Sequence, residues 1–474
     1  MKKNILINFT NLLFLYPYEY ILEVLHYLYM NNNIDKLIIA VREKEYYLKL
    51  VKDLADREYI KIYYLNDENE LDKFDEKKEE IWCIPFNLIL KNYFIKSGFS
   101  YKYINKNYSK ILSYFSKTEQ YLLKIIRENK INNVILFIET HYLNYLIYWL
   151  ALKLNINIIF INYGKLEPYT LTIWDKNLCA DVSKRCDTKY ICKFYSRISK
   201  SNKPLYAWLF DKIIFLQSIF SIKLLPRRII NLLRYIKYYY TRNKYEKITV
   251  MGISWLLKNL LFSEILKILK KNIYKLFYTK DLDFSEKIIF FPLHDDEDAY
   301  YLLLEKTKNQ IELARRIALN LPKDFILVIK LHPHTFNPWL NIRDLISLLK
   351  YPNVILADTS FSPIELIKKS ELVITLNSTT WYEALLLNKP VITFWNNELW
   401  KLAIKFKEDE IDEKLFCFLK NKEYLNINFK EIHEKLSFYI KNTVKFIWFT
   451  NELVPIMNNE TIKQLADLIN KYLK

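Results

Sequence analysis

The stretch 134–161, VILFIETHYLNYLIYWLALKLNINIIFI, decides the fold class. It opens with an apolar run at 134–138, continues through an aromatic-rich segment of helical length at 141–154, and closes with a second apolar run at 156–161. Strand, helix and strand at this spacing form a βαβ unit, whose two strands are parallel. Both runs are almost wholly apolar, as strands are when helices cover both faces of a sheet. The sequence therefore predicts an α/β fold with a parallel sheet.

The same alternation recurs on both sides of this unit. Before it, strand patterns at 5–9 and 36–41 flank a helical pattern at 20–30. Later strand patterns alternate with helical ones, and they lie at 288–292, 325–331, 354–357, 372–376 and 391–394. We therefore predict two Rossmann-like domains, at 1–200 and 286–455. An amphipathic helix in 456–474 is expected to cross back onto the first domain.

Composition excludes several classes of protein. The chain has 474 residues, of which 51% are hydrophobic and 26% charged, so it can bury a large core and is not disordered. It contains only 3 glycines, too far apart for a GxGxxG loop or a Walker P-loop. Its 5 cysteines form no C-x-x-C pair, which argues against a disulfide framework or a zinc site. A reducing cytosol fits this pattern best.

Positive charge is concentrated between the two predicted domains. Residues 201–280 hold 16 Lys and Arg against 3 acids, a difference of 16 − 3 = +13 in a chain whose net charge is +18. We predict a basic helical insert at 201–285, which either docks on an anionic membrane surface or packs between the domains. No stretch of about 18 residues lacks charge, so no membrane-spanning helix is predicted.

A histidine motif follows a predicted strand in the second domain. Lys330, His332 and Pro333 belong to the sequence KLHP, in which Pro333 cannot extend the ladder. His332 is therefore expected at the carboxyl edge of a parallel sheet, where open α/β sheets bind ligands. An imidazole there can donate to a phosphate or to a leaving group.

A second polar turn lies in the same domain. Asn377, Ser378 and Thr379 come between a predicted strand and a helix, and Glu383 follows one helical turn later. Hydroxyl groups and free helix amides suit a phosphate, whereas a carboxylate could bind ribose hydroxyls. Either motif alone is more simply explained as an ordinary loop or cap, but together they favour a nucleotide site.

These motifs resemble a known family. KLHP at 330–333, NST at 377–379, EAL at 383–385 and KPVI at 389–392 are similar to the nucleotide-sugar-binding half of bacterial capsule polysaccharide biosynthesis proteins of the Kdo-transferase type. The resemblance implies a GT-B fold with two Rossmann-like domains facing a cleft, a CMP-sugar donor and no metal cofactor. It implies that the nucleotide phosphate is held by the His-Pro element, His332 and Pro333, and by the hydroxyl element, Ser378 and Thr379. We assign Lys330, Asn377 and Glu383 to the same nucleotide site.

The resemblance is weaker in the first domain. Gly164, Pro168 and Thr172 align with the family's segment, but Asn162 and Tyr163 replace its acid pair. Because the family's general base belongs to that pair, its identity here is open. Glu139 and Glu167 are the nearest carboxylates in sequence, and we assign them with His332 as candidate catalytic residues. Asp175 and His141 are the next candidates.

These observations predict a cytoplasmic glycosyltransferase at the inner face of the membrane. It would transfer a Kdo- or sialic-acid-like sugar from a CMP-sugar to a glycan or lipid-linked acceptor of surface polysaccharide. The first alternative is a GT-B enzyme that uses a UDP- or GDP-sugar. A second alternative is an inactive glycan-binding homologue, and a third is a basic nucleic-acid-binding protein, although no base-reading motif is present.

Overall fold

The structure is a computed structural model of the full chain. It describes residues 3–8, 18–74, 101–137, 142–163, 170–174, 184–200, 240, 269–279, 285–293, 310–331, 342–358, 360–376, 379–394, 400–445 and 459–473. Of the predicted basic insert, residues 201–239, 241–268 and 280–284 therefore lie outside the described part of the chain.

The first sheet has seven strands. They are β1 Asn4–Asn8, β2 Lys36–Val41, β3 Ile60–Tyr64, β4 Asn133–Phe137, β5 Asn157–Tyr163, β6 Thr170–Trp174 and β13 Val444–Lys445. Their order is β13-β6-β5-β4-β1-β2-β3. Five adjacent strands, in the order β5-β4-β1-β2-β3, are parallel to one another, whereas β6 pairs antiparallel with β5 and with β13. Every residue of β1 and β4 is buried, which explains the apolar runs Ile5–Ile7 and Val134–Phe137 within them.

The first half of the chain contains six helices within the described residues. They are α1 Tyr18–Met30, α2 Lys44–Asp53, α3 Glu68–Leu71, α4 Tyr101–Glu128, α5 Tyr142–Lys153 and α6 Lys189–Lys200. Helix α4 is 28 residues long, and none of the helical patterns named above falls within it. Its N-terminal part carries many Lys, Asn and Ser residues among its apolar ones, so the helical periodicity is harder to see there.

The second sheet has six strands, all parallel. They are β7 Lys287–Pro292, β8 Phe325–Lys330, β9 Val354–Ala357, β10 Ser370–Ile374, β11 Val391–Thr393 and β12 Ile404–Lys405. Their order is β12-β11-β10-β7-β8-β9. Strand β7 lies between β8 and β10. From β7 the chain continues to β8 and β9 on one side of the sheet, and β10, β11 and β12 then follow on the other side. This arrangement creates a topological switch point between β7 and β10, which is where such sheets bind ligands.

The helices of the second half are short, apart from α7, α11 and α12. They are α7 Gln310–Leu319, α8 Ile342–Ile346, α9 Pro363–Lys369, α10 Thr380–Leu386, α11 Ile411–Lys420 and α12 Phe429–Lys441. Ser362 precedes α9 and Pro363 opens it, a common way for a helix to begin, but the Ser362 side chain makes no capping hydrogen bond. The prediction of two α/β domains with parallel sheets is confirmed, except that the first sheet also contains one strand, β6, that runs antiparallel to the others.

Two connections join the halves of the chain. The last helix, α13 Asn459–Tyr472, packs against α1, and its Leu465, Ala466 and Ile469 are fully buried in the first core. Helix α6 from the first half packs against α12 of the second, and the Lys368 Nζ donates to the Ser199 carbonyl at 3.0 Å. Strand β13 and helix α13 from the second half thus belong to the first domain, whereas α6 from the first half packs on the second.

Candidate functional site

The carboxyl end of β8 brings Lys330 to the edge of the second sheet. In the parallel register Lys330 lies opposite Pro292 of β7 on one side and Ala357 of β9 on the other. The backbone N–H of Leu293 donates to the Lys330 carbonyl at 2.9 Å, which extends the pairing by one residue. Lys330 therefore lies beside β7, one strand away from the switch point between β7 and β10.

The Lys330 ammonium is buried. The residue is 4% exposed, and its Nζ donates to the Leu331 carbonyl at 3.5 Å, a long hydrogen bond. Burial lowers the pKa of Lys330 from the usual 10.5 to about 8, although the charge of Asp358 at the end of β9 opposes this shift. A buried cation with little neutralisation gains free energy when an anion arrives beside it. A phosphate is such an anion.

The turn between β10 and α10 is the second predicted element of the site. Thr379 is the residue before α10, and its side chain makes no capping hydrogen bond. The Thr393 hydroxyl, at the end of β11, donates to the Leu376 carbonyl at 3.3 Å and so ties the start of this turn to the neighbouring strand. Glu383 is 1% exposed, so its carboxylate lies inside the domain rather than on the surface of α10.

Most of the predicted site lies outside the described residues. This holds for His332, Pro333, Asn377 and Ser378 of the phosphate set, and for Glu139 and Glu167, the candidate bases. Of the predicted nucleotide-binding residues, Lys330, Thr379 and Glu383 are described, and they belong to neighbouring parts of one sheet edge. Within the described ranges, no three His, Cys, Asp or Glu side chains are grouped so that they could hold a metal ion.

Three polar residues at the sheet edges were not among those predicted from the sequence. Asp358 directly follows β9, and Arg42 and Glu43 directly follow β2 in the first sheet. Each of these residues follows an apolar strand pattern, and this position is the feature of the sequence that could have identified it. The sequence offered no reason to prefer these residues over other charged residues that follow strands.

No curated protein matches the chain in sequence. Among solved structures, it is similar to the KpsC β-Kdo 2,7 transferase of Thermosulfurimonas dismutans at 14% identity and a TM-score of 0.32, over 74% of this chain and 90% of that one. A glycosyltransferase from Rickettsia africae ESF-5 shares 15% identity at a TM-score of 0.27, over 100% of this chain and 99% of that one. The UDP-GlcNAc 2-epimerase of Neisseria meningitidis shares 15% identity at a TM-score of 0.26, over 93% of this chain and 98% of that one. Likeness at this level does not extend to substrates.

One comparison concerns the site itself. The family model of the LIC12162 family transferases matches residues 288–409, about a quarter of the chain. This segment contains Lys330, Asp358, Thr379 and Glu383, and it includes the KLHP and NST motifs from which the resemblance was drawn. The second sheet, with its candidate site, is therefore the part of the chain that is similar to the LIC12162 family transferases.

Proposed function

We propose that this protein is a glycosyltransferase of surface polysaccharide synthesis, which transfers a Kdo- or sialic-acid-like sugar from a CMP-sugar without a metal ion. The observation that carries the proposal is the buried Lys330 ammonium at the carboxyl edge of a doubly wound sheet, inside the segment similar to a transferase family. Its acceptor is a glycan or a lipid-linked glycan. A GT-B enzyme that uses a UDP- or GDP-sugar is the alternative.

The chemistry of the proposal is electrostatic. When a CMP-sugar loses its sugar, negative charge builds on the departing phosphate and positive charge on the sugar ring. Lys330 and His332, with Ser378 and Thr379 from the second turn, would stabilise the phosphate as it departs. A carboxylate in the first domain, Glu139 or Glu167, would take the proton from the acceptor hydroxyl.

The nucleotide is the first part of the proposal to test. We expect CMP to raise the unfolding temperature more than UDP or GDP does, because a ligand at 100 times its dissociation constant stabilises the folded state by about 2.7 kcal/mol. Thermal unfolding at matched concentrations measures the order of the three. A larger shift with UDP or GDP would replace CMP by that nucleotide, and no shift with any of them would contradict a nucleotide site.

The described end of the basic insert supports docking on a membrane. Residues 269–279 contain three lysines and no acid. Tyr274 anchors them to the second sheet, because its ring is buried and its hydroxyl donates to the Ala357 carbonyl at 2.7 Å. Most of the other residues in this segment are exposed, and its exposed apolar side chains are Leu269, Ile273, Leu276 and Phe277. Among the described residues, no helix has the length and apolarity to cross a bilayer.

We expect this segment to bind anionic lipid. Lysine near an anionic surface contributes about 1 kcal/mol, so Lys271→Gln with Lys275→Gln should weaken binding to phosphatidylglycerol vesicles about 30-fold. Leu276→Ser should also weaken it, since Leu276 is 78% exposed and free to enter the bilayer interface. Co-sedimentation with vesicles measures both effects.

Lys420→Gln with Lys422→Gln is the matched control, because it removes the same charge from exposed positions at the end of α11. Binding to anionic vesicles should survive in this control and weaken as salt rises. If the wild-type protein ignores anionic vesicles at low salt, the membrane proposal fails. Salt-dependent binding to DNA instead would favour the nucleic-acid alternative.

A further inference from the structure

The described end of the basic insert, residues 269–279, pairs with the edge of the second sheet. The Thr279 N–H donates to the Leu356 carbonyl at 2.9 Å, and the Asp358 N–H donates to the Thr279 carbonyl at 3.2 Å. Thr279 thereby pairs with Ala357 in the parallel sense, beside β9, the outermost strand of this sheet. The end of the insert is therefore fixed to the same backbone groups at which β9 ends.

Two tyrosines of this segment reach the carboxyl end of β9. The buried Tyr274 binds the Ala357 carbonyl, and the Tyr278 hydroxyl donates to the Asp358 carboxylate. The centroids of the two tyrosine rings lie 5.5 Å apart. Desolvation, together with the hydrogen bond to Asp358 and its negative charge, raises the pKa of Tyr278. Its hydroxyl therefore stays protonated, and able to donate, in the neutral and mildly alkaline range.

Asp358 is the carboxylate beside Lys330 across the sheet. In the register of β8 and β9, Lys330 pairs with Ala357, and Asp358 is the residue after Ala357. The Asp358 Oδ1 accepts from the Ser360 N–H at 2.9 Å. The carboxylate is thus held by the backbone of its own loop and by the Tyr278 hydroxyl from a distant segment. Both hydrogen bonds favour its charged form, so a negative charge is fixed at the end of β9.

The charge of Lys330 depends on this carboxylate. The Lys330 ammonium is buried, and among the described residues no carboxylate lies within ion-pair distance of its Nζ. Burial favours the neutral amine, and Asp358 is the described group whose charge opposes this effect. The attraction acts across a gap that is partly closed to water, where salt screens it little.

We propose that Asp358 is a positioning residue of the nucleotide site, held by Tyr278 of the basic insert, and that it keeps the Lys330 ammonium charged at and above neutral pH. The proposal rests on the proposed sugar transfer, in which Lys330 binds the phosphate of the nucleotide. It adds that the insert takes part in the nucleotide site as well as in membrane docking. Two negative charges repel, so Asp358 would act through Lys330 and not by contact with the phosphate.

The pH dependence of nucleotide affinity tests this role on the full chain. Without the charge of Asp358, the pKa of Lys330 should be lower, so the affinity of Asp358→Asn should begin to fall about 1 pH unit below the wild type. Above pH 8 the variant should bind the nucleotide up to about tenfold more weakly. At pH 6 it should bind at least as tightly, because Lys330 is charged in both proteins and a repelling carboxylate is gone.

Titration calorimetry from pH 6 to pH 9 measures these affinities for CMP, or for UDP or GDP if the wild type binds that nucleotide better. The variant is compared with the wild type at each pH, so the titration of the ligand phosphate cancels. Asparagine keeps the volume of Asp358 and an oxygen for the Ser360 N–H, so this variant should fold. Asp324→Asn is the matched control, because Asp324 is exposed and precedes β8 at the opposite edge of the sheet.

Tyr278→Phe is a second variant that leaves Asp358 charged. Without the tyrosine hydroxyl the carboxylate is free to turn towards water, so the fall in affinity should move in the same direction as in Asp358→Asn, but less. An unchanged pH profile in Tyr278→Phe would remove the insert from the nucleotide site.

Two results would overturn the role of Asp358 and leave the nucleotide site standing. One is a wild-type pH profile in Asp358→Asn, and the other is an equal loss of affinity at pH 6 and pH 9, which a purely structural role would produce. A wild-type protein that binds none of the three nucleotides would instead overturn the proposed function, and this inference with it.

Discussion

Replacing Lys330 by methionine is expected to slow sugar transfer at least about 10²-fold, the effect of removing one group that stabilises developing negative charge. Methionine keeps most of the side-chain volume, so the packing at the end of β8 should survive. Because the variant no longer buries a cation, its unfolding temperature at neutral pH should equal or exceed that of the wild type. Transfer of label from the nucleotide sugar and thermal unfolding measure the two effects.

The lowered pKa of Lys330 adds a pH dependence of nucleotide affinity to this prediction. Below pH 8 the ammonium is already charged in the free protein, and above it a bound phosphate must draw a proton onto Lys330. Nucleotide affinity of the wild type should therefore fall as the pH rises above about 8, and Lys330→Met should lose this dependence. The cost of burying the charge is present in full below pH 8 and fades as the pH rises towards the ordinary lysine value.

Lys323→Met is the matched control for Lys330→Met. Lys323 is exposed and lies before β8, at the opposite end of the same strand, so its loss should leave transfer unchanged. His332→Ala and the double change Ser378→Ala with Thr379→Ala should each reproduce the effect of Lys330→Met. If Lys330→Met, His332→Ala and the double variant all transfer sugar at the wild-type rate, the phosphate does not bind at this edge.

Exchanging the catalytic base for its amide should lower transfer by about 10² to 10⁴-fold, because a glutamine cannot accept the proton of the acceptor hydroxyl. We expect this loss in either Glu139→Gln or Glu167→Gln. Glu139 comes two residues after the end of β4, and β4 borders the switch point of the first sheet, which lies between β1 and β4. Nucleotide affinity should not change in either variant, since the base acts on the acceptor and not on the phosphate.

Glu128→Gln is the control for these two variants, as Glu128 is an exposed carboxylate at the end of α4. Its transfer rate should match that of the wild type. Full activity in both Glu139→Gln and Glu167→Gln would remove them as bases. Asp175, His141 and the Glu43 carboxylate would then be the groups to test.

Local structure could be predicted from the sequence because it depends on neighbouring residues. The runs at 36–41 and 354–357 coincide with β2 and β9, and the helical pattern at 141–154 differs from α5 by one residue at each end. These elements are buried on both faces or along one stripe, so their apolar pattern is strong. The position of Lys330 at a strand end could be predicted for the same reason, since Pro333 marks where the ladder must stop.

Strand order and the contacts between distant residues required the tertiary structure. Nothing local in Thr170–Trp174 or Val444–Lys445 indicates that these strands pair antiparallel with each other, because they are about 270 residues apart and short strands have weak patterns. The burial of Lys330 and the pairing of Arg42 with Glu43 likewise depend on which elements cover the sheet edges. The sequence by itself determined the strongly apolar elements and the end of β8, whereas the tertiary structure decided the weaker elements, the strand order and the charges buried at the sheet edges. The reason is that an element is stabilised by its own pattern, but burial and pairing are properties of the surfaces that distant parts of the chain bring together.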